Sequence, residues 1–495
     1  MGPMLLVMGC TGGANYSLNL IPIIPDNQSP FSGADRIDLV FEPEEGDELV
    51  YTLDETSGSP RLEQLPALSR TSISVRAYDR EELVAFGRSR PFTMAQGENE
   101  QQVLVAETDS LSWFSKMETN LGGSAVAAYN GSFYIFGGET DVLDIFSDVD
   151  GVGVNTIWRL DVAPAGPLMA QTMEITLPTH AKGSDTWAGA TATNIGDGQF
   201  LIAGGSPWMA AVGDEVLYEA FIFNAIEETV GPLFELVIGR TVHQAVSFTN
   251  GDVALIGGLL QGGNGATSVE LYRPESGLLE TGEQHSATMP AAASLAAGEI
   301  LICGGYTGSG GNASPSSICE ILTINGKILP AASLPAARDG LTLSSMGEGR
   351  VLATGGADAD YGAHSNAWLY DQLSDTWISV GSLNVPRALH RAVALPNGSV
   401  LIVGGATAAE RGVAAWEGGP IGQTISCVEL YDPDSQEFQA LKDCTVDDDA
   451  VGLPERSLWP SVGLDPEHGV LVVGGFDAVG NLPAVSGVSF FPAAP

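Results

Sequence analysis

Arg240, Arg338 and Arg387 each stand 17 residues ahead of a Gly-Gly pair, and Arg456 stands 18 ahead of another. A guanidinium stays charged and presents a planar fork of donors that matches a carboxylate. Arginines recurring at one repeat position would form a ring of cations suited to a carboxylate ligand. The alternative is structural, since an arginine opening a strand can give its donors to neighbouring backbone carbonyls. His243 and His390 follow their arginines by three residues and are expected on the same strands as satisfied core residues.

Other residue types suggest binding more than catalysis. Asp141, Asp144, Asp148 and Asp150 share one stretch, and Asp447, Asp448 and Asp449 another. Calcium takes about six to eight oxygens, so both stretches are candidate calcium sites, although neither matches an EF-hand loop. Trp208, Tyr361 and Trp416 fall in or beside predicted loops, where an aromatic ring can stack on a sugar or anchor a protein partner. No serine nucleophile elbow, phosphate loop or zinc spacing occurs. The reading is a non-catalytic binding or scaffolding protein with no required cofactor, calcium being the one ion with candidate ligands.

Charge narrows the partners. The 61 acidic residues outnumber 20 basic ones, a net charge of −41, which repels phosphate backbones and argues against nucleic acid. A protein or polysaccharide ligand fits better. No internal run reaches the roughly 18 apolar residues of a membrane-spanning helix. At the amino end, Val7-Met8-Gly9-Cys10 resembles a bacterial lipobox, with Val7 where that pattern usually has Leu and no Lys or Arg before Cys10. The resemblance implies export, lipidation of Cys10 and contact with a membrane through that anchor alone. Thr11, not being Asp, implies the outer membrane; the resemblance leaves open the periplasmic or the surface-exposed side. Residues 11–34, rich in Asn, Ser, Pro and Gly, read as a flexible tether after a 1–10 signal remnant.

The elements that must position these groups are strands. Residues 36–41, 48–53, 71–78, 82–86 and 102–106 are strand-like runs, and segments such as Ser72–Tyr78 alternate apolar and polar side chains. They predict a small immunoglobulin-like or transthyretin-like β-sandwich over 35–108. Beyond it a strand ending in Gly-Gly recurs seven times, at 133–138, 200–205, 253–258, 300–305, 351–356, 401–405 and 471–475. A second strand with a late aromatic follows most pairs, as in Val269-Glu270-Leu271-Tyr272, Ala367-Trp368-Leu369-Tyr370 and Val428-Glu429-Leu430-Tyr431. A tryptophan comes later in Asp375-Thr376-Trp377. At a period near 50 residues these features resemble the Kelch repeat. The resemblance covers residues 110–495 and implies an all-β fold, a seven-bladed β-propeller of four-stranded blades.

The last repeat ends after a third strand at 485–491, whereas the first is preceded by an orphan strand at 112–117. Pairing these two would close the propeller and remove an open edge; an incomplete eighth blade is the alternative. Four cysteines besides Cys10 fall in two pairs, Cys303 with Cys319 and Cys427 with Cys444, each flanking a predicted hairpin. Two local disulfides follow for an exported chain. Short turns at Asn130-Gly131, Asp197-Gly198, Asn250-Gly251 and Asn397-Gly398 mark one face. The long connections 139–155, 406–426 and 445–456 mark the other, which is the expected ligand face. A propeller enzyme is the rival: a copper-radical oxidase resembling galactose oxidase, or a sugar isomerase resembling sialic-acid mutarotases. The oxidase family needs a paired-histidine copper site, and here six histidines are scattered without an adjacent pair.

Overall fold

Every strand that ends in a glycine pair is mostly apolar on both faces, so both must be covered. In the computed structural model the last four residues of each such strand are buried, and the strand lies second in its sheet. The model describes residues 6–9, 16–25, 28–44, 46–53, 70–93, 97–109, 112–113, 121–140, 152–153, 156–161, 170–179, 187–206, 216–308, 313–408, 423–441, 459–476 and 488–492. Among the described residues the chain is all-β, with many small antiparallel sheets, an arrangement consistent with a β-propeller.

The third repeat shows the pattern. Gln244–Ser247 (strand a), Val253–Ile256 (b), Val269–Arg273 (c) and Leu278–Thr281 (d) pair in that order. Strand a of each sheet packs on strand a of the next, and Ser461–Asp465 of the last packs on Ala125–Tyr129 of the first. The last sheet takes its fourth strand from far upstream: Ser112 pairs with Phe490 and Trp113 with Ser489. Apolar side chains fill the spaces between sheets. Leu201 and Ala203 of the second meet Val253 and Leu255 of the third, and Leu352 of the fifth meets Val400 and Ile402 of the sixth.

The glycine pair is the joint between neighbours. Gly355 has φ +61° and Gly356 φ +89°, both left-handed. A Cβ on Gly355 would lie 2.3 Å from the Arg387 carbonyl oxygen of the next sheet, and one on Gly356 would lie 3.0 Å from the Asp339 oxygen of its own. The Gly356 amide donates to Arg387 O at 2.9 Å. The first glycine thus lets adjacent sheets touch backbone to backbone, and the second lets its own sheet fold over.

The amino-terminal part corrects one expectation. Residues 11–34 are not wholly a tether: Tyr16–Ile23 is a strand pairing in parallel with Gly97–Leu104 and antiparallel with Leu6–Gly9. Leu18 and Leu20 enter a core with Leu39, Phe41, Ile73, Val75 and Val103. A separate sheet runs through Leu49–Leu53, Arg36–Pro43, Arg70–Asp79, Glu82–Arg88 and Ala106–Glu107. The layer facing it therefore begins well before residue 35. Leu104 and Ala106 also pack with Phe133 and Leu160 of the first repeat and Leu471 and Val473 of the last, across the junction of those two sheets.

Cys303 and Cys319 are register partners on strands b and c of the fourth sheet and form a disulfide. Cys427 is disulfide-bonded too; Cys444, expected as its partner, lies outside the described residues, as does Cys10.

Candidate functional site

Strand a of each repeat is preceded by the residues that could carry chemistry, and the arginines come first. Arg240 and Arg387 are fully buried. Arg240 donates to the carbonyls of Gly257 at 3.0 Å and Ser268 at 3.1 Å and pairs with Glu270 at 2.7 Å. Arg387 donates to Gly404 O and Cys427 O, both at 2.9 Å, and pairs with Glu429 at 2.6 Å. Burial pushes both guanidinium pKa values down and the partner carboxylate pulls each back up. These two arginines clamp strand c to the head of strand a within their own sheets. Their NH1 and NH2 groups are spent inside the sheet, the one unpartnered donor, Arg240 Nε, is itself buried, and neither guanidinium reaches a ligand, which corrects the reading of a cationic ring for these two.

Each clamp partner sits opposite the residue two places before its glycine pair, and that position varies. The second sheet puts Trp187 and Phe221 at the two clamp positions, with rings 5.0 Å apart and near perpendicular. In the fifth sheet Arg338 lies over Trp368, 5.4 Å from the ring centroid, and donates to Ala337 O and Asn366 Oδ1. Arg338 is 6% exposed and burial lowers its pKa, with Asp358 opposing.

Two residues after Trp187, Arg240, Arg338 and Arg387, and at the matching place in the other three repeats, the backbone turns left-handed. The residues are Gly123, Gly189, Val242, Met289, Gly340, Leu389 and Trp459, with φ between +44° and +70°. A left-handed conformation costs an L-residue about 1–2 kcal/mol, and Val242 is β-branched besides. Neighbours are linked: Gly189 N donates to Gly123 O, Val242 N to Gly189 O, Leu389 N to Gly340 O and Trp459 N to Leu389 O, at 2.7–3.2 Å. All seven line one cavity of about 200 Å³. Below them strand a contributes Thr191, Gln244, Thr342, Arg391 and Ser461 to the same wall. This rim went unread in the sequence because its members share no one residue type; glycine at the equivalent places 123, 189 and 340 was the one available signal.

His243 and His390 sit beside the rim, 4% and 1% exposed. The Nε2 of His243 bonds Thr191 at 3.0 Å, and that of His390 bonds both Thr342 and Thr354 at 2.9 Å. Burial, reinforced by Arg240, lowers the His243 pKa to about 3; burial, reinforced by Arg387 and Arg391, takes that of His390 well below the usual value. Buried His285 falls to about 4. In the folded state these imidazoles stay neutral, while the unfolded chain takes up protons below about pH 6.5. Their contribution is therefore complete above pH 6.5 and lost as pH falls toward 4, at up to about 1.4 kcal/mol per pH unit for each ring. Urea unfolding at pH 7, 6 and 5 should show this slope, and His285→Leu should reduce it by one ring's share.

Tyr361 lies in the loop after strand b of the fifth sheet, half-buried and left-handed at φ +66°. Its amide donates to Asp358 O, and Asp358 holds His364 at 2.7 Å. Trp208, Trp416, Arg456, Asp141, Asp144, Asp148, Asp150, Asp447, Asp448 and Asp449 lie outside the described residues. Among the described residues no group of three His, Cys, Asp or Glu side chains is arranged to hold a metal, and no helix is long and apolar enough to cross a membrane.

No family profile matches the chain. Human Kelch-like protein 25 is 30% identical over 158 residues, which is 30% of this chain and 24% of that protein. The Xenopus tropicalis Kelch-like protein 25 is 30% identical over 107 residues, 22% of this chain and 17% of its own length. The tRNA wybutosine-synthesizing protein 4 of Saccharomyces cerevisiae is 29% identical over 120 residues, 22% of this chain and 17% of that protein. The matched stretch thus spans about a quarter or less of each relative. Over that part the chain is similar to Kelch-like proteins, which suggests repeats of Kelch type.

Proposed function

We propose that the repeats form a closed seven-bladed Kelch-type propeller that binds a protein ligand at the mouth of its central channel, without catalysis. The left-handed rim carries this reading. Strain of this kind persists only where the surroundings over-determine it, and it gathers at ligand clamps. Here it holds four apolar side chains, Val242, Met289, Leu389 and Trp459, around one cavity. Methionine adapts to irregular surfaces and tryptophan anchors interfaces. The long connections between strands b and c, and between one sheet and the next, emerge at this end and would frame the ligand. Division into a β-sandwich and a propeller, and anchoring of the exported chain to the outer membrane through a lipidated Cys10, complete the proposal.

A photo-crosslinking amino acid tests it. Placed at Met289 in the intact chain in its native cell, it should yield a recurrent protein adduct. The same probe at Leu373, 99% exposed on a strand c to d turn at the opposite face, should not. Equal labelling from both positions, or none from Met289, overturns the assignment.

A further inference from the structure

Arg391 is the second residue past left-handed Leu389, on strand a of the sixth sheet, half-buried in the wall of the central cavity. Its Nε donates to Pro460 O at 3.3 Å, and it makes no ion pair among the described residues. Apart from Arg338, which lies over Trp368 without a carboxylate, the other described arginines shielded from water are paired. The buried Arg240 and Arg387 each have a carboxylate within 2.7 Å. The partly exposed Arg76, Arg88, Arg90, Arg159 and Arg273 are paired as well.

Among the described residues the cavity places no carboxylate in contact with Arg391. Its other charged lining residue, Asp339, is 7% exposed and accepts from the Gly340 amide at 2.7 Å, and the two do not pair. His243 and His390 are held neutral. Arg391 itself has its pKa lowered by burial, with no anion opposing the fall. A partly desolvated cation without a carboxylate partner is less favourable than a paired one, and a guanidinium is satisfied best by a planar carboxylate engaging two N–H groups.

Resting on the reading that the mouth binds a ligand, we propose that the channel mouth is a carboxylate site whose cation is Arg391. A space of about 200 Å³ is small against ordinary ligand pockets of roughly 300–1,000 Å³. It admits one carboxylate group at a time, either an acidic side chain of the protein ligand or a small free acid. Attraction here is local: the net charge of −41 repels an anion at long range, and the pair forms only once the carboxylate has passed the rim.

Calorimetric titration of the full chain tests this with three probes: acetate, the blocked tripeptide Gly-Glu-Gly and its Gly-Gln-Gly counterpart. Saturable binding of acetate, of the glutamate peptide or of both is expected, with none for the glutamine peptide. Acetate binding would identify a free acid as sufficient; binding of the glutamate peptide alone would identify a side chain. Arg391→Gln should weaken binding at least tenfold, and Arg391→Lys, which keeps the charge and loses the fork, should fall between. Arg391→Gln should also unfold at the same or a higher temperature than the parent, which a merely structural arginine would not allow. No saturable binding of either carboxylate probe, or equal binding by Arg391→Gln, overturns the proposal. If Met289 adducts persist when carboxylate binding is absent, the carboxylate site fails while the rim remains the ligand face.

Discussion

Replacing Glu429 with alanine is expected to cost about 3–5 kcal/mol of folding stability, because it leaves a fully buried guanidinium without a counter-charge. Glu429 does more than neutralise Arg387. Its two oxygens also accept from the amides of Asn384 at 2.6 Å and Val385 at 3.1 Å and from Asn384 Nδ2 at 2.9 Å. Alanine would orphan the Val385 amide in a space closed to water, whereas exposed Asn384 can turn to solvent and keeps Phe438 O at 3.1 Å. The second sheet shows that the clamp can be built without charge, since Trp187 and Phe221 occupy the same two positions. The double substitution Arg387→Met with Glu429→Leu should accordingly be less damaging than Glu429→Ala alone, although it deletes more polar atoms. What remains is the cost of unpaired amides, about 1–3 kcal/mol for each one left unsatisfied. Denaturant unfolding of the two single variants and the double measures the coupling. Additive penalties would mean that the pair is not the unit described here.

This clamp shows where sequence reading stopped. The glycine pairs were legible because each is fixed by backbone atoms, which are the same in every repeat; no side chain can enter at Gly355 or Gly204 without meeting Arg387 O or Arg240 O. The arginine positions were equally legible, but their role was not. It is decided by the residue two places into strand c, which is Glu270, Glu429, Trp368 or Phe221 according to the sheet. Glu270 and Glu429 were visible inside the Val-Glu-Leu-Tyr strands, yet only the fold brings them to arginines 30 and 42 residues upstream. The strand at Tyr16–Ile23 was missed for another reason. Its Asn, Ser and Pro content masked a period of two, in which Leu18, Leu20 and Pro22 all turn inward. The left-handed rim was the least legible feature, because its geometry is set by the link from one repeat to the next and tolerates Gly, Val, Met, Leu and Trp alike.

Contact between the last and first repeats concentrates in few atoms, so one methyl group should disturb it. Gly474 opens the seventh glycine pair at φ +56°, and a Cβ there would lie 1.8 Å from Leu121 O, on the first repeat. Alanine must accept a left-handed backbone, at about 1–2 kcal/mol, and also drive the two sheets apart, at about 1–3 kcal/mol for overpacking. Gly474→Ala should therefore lose roughly 2–5 kcal/mol. Gly277→Ala separates the two contributions: its φ is +65° and nothing lies within 4 Å of the added carbon, so it incurs the backbone cost alone. The difference between the two variants reports the contact between repeats seven and one. Limited proteolysis should reveal the same weakness, because the junction also holds Ser461 Oγ on Ser124 O at 2.5 Å and Gly131 N on Asp465 at 2.7 Å. Leu104 and Ala106 of the amino-terminal part pack across that seam, and loosening it should expose them together. Equal losses for Gly474→Ala and Gly277→Ala would mean that the repeats do not bear on one another there, and the ring would have to be drawn open.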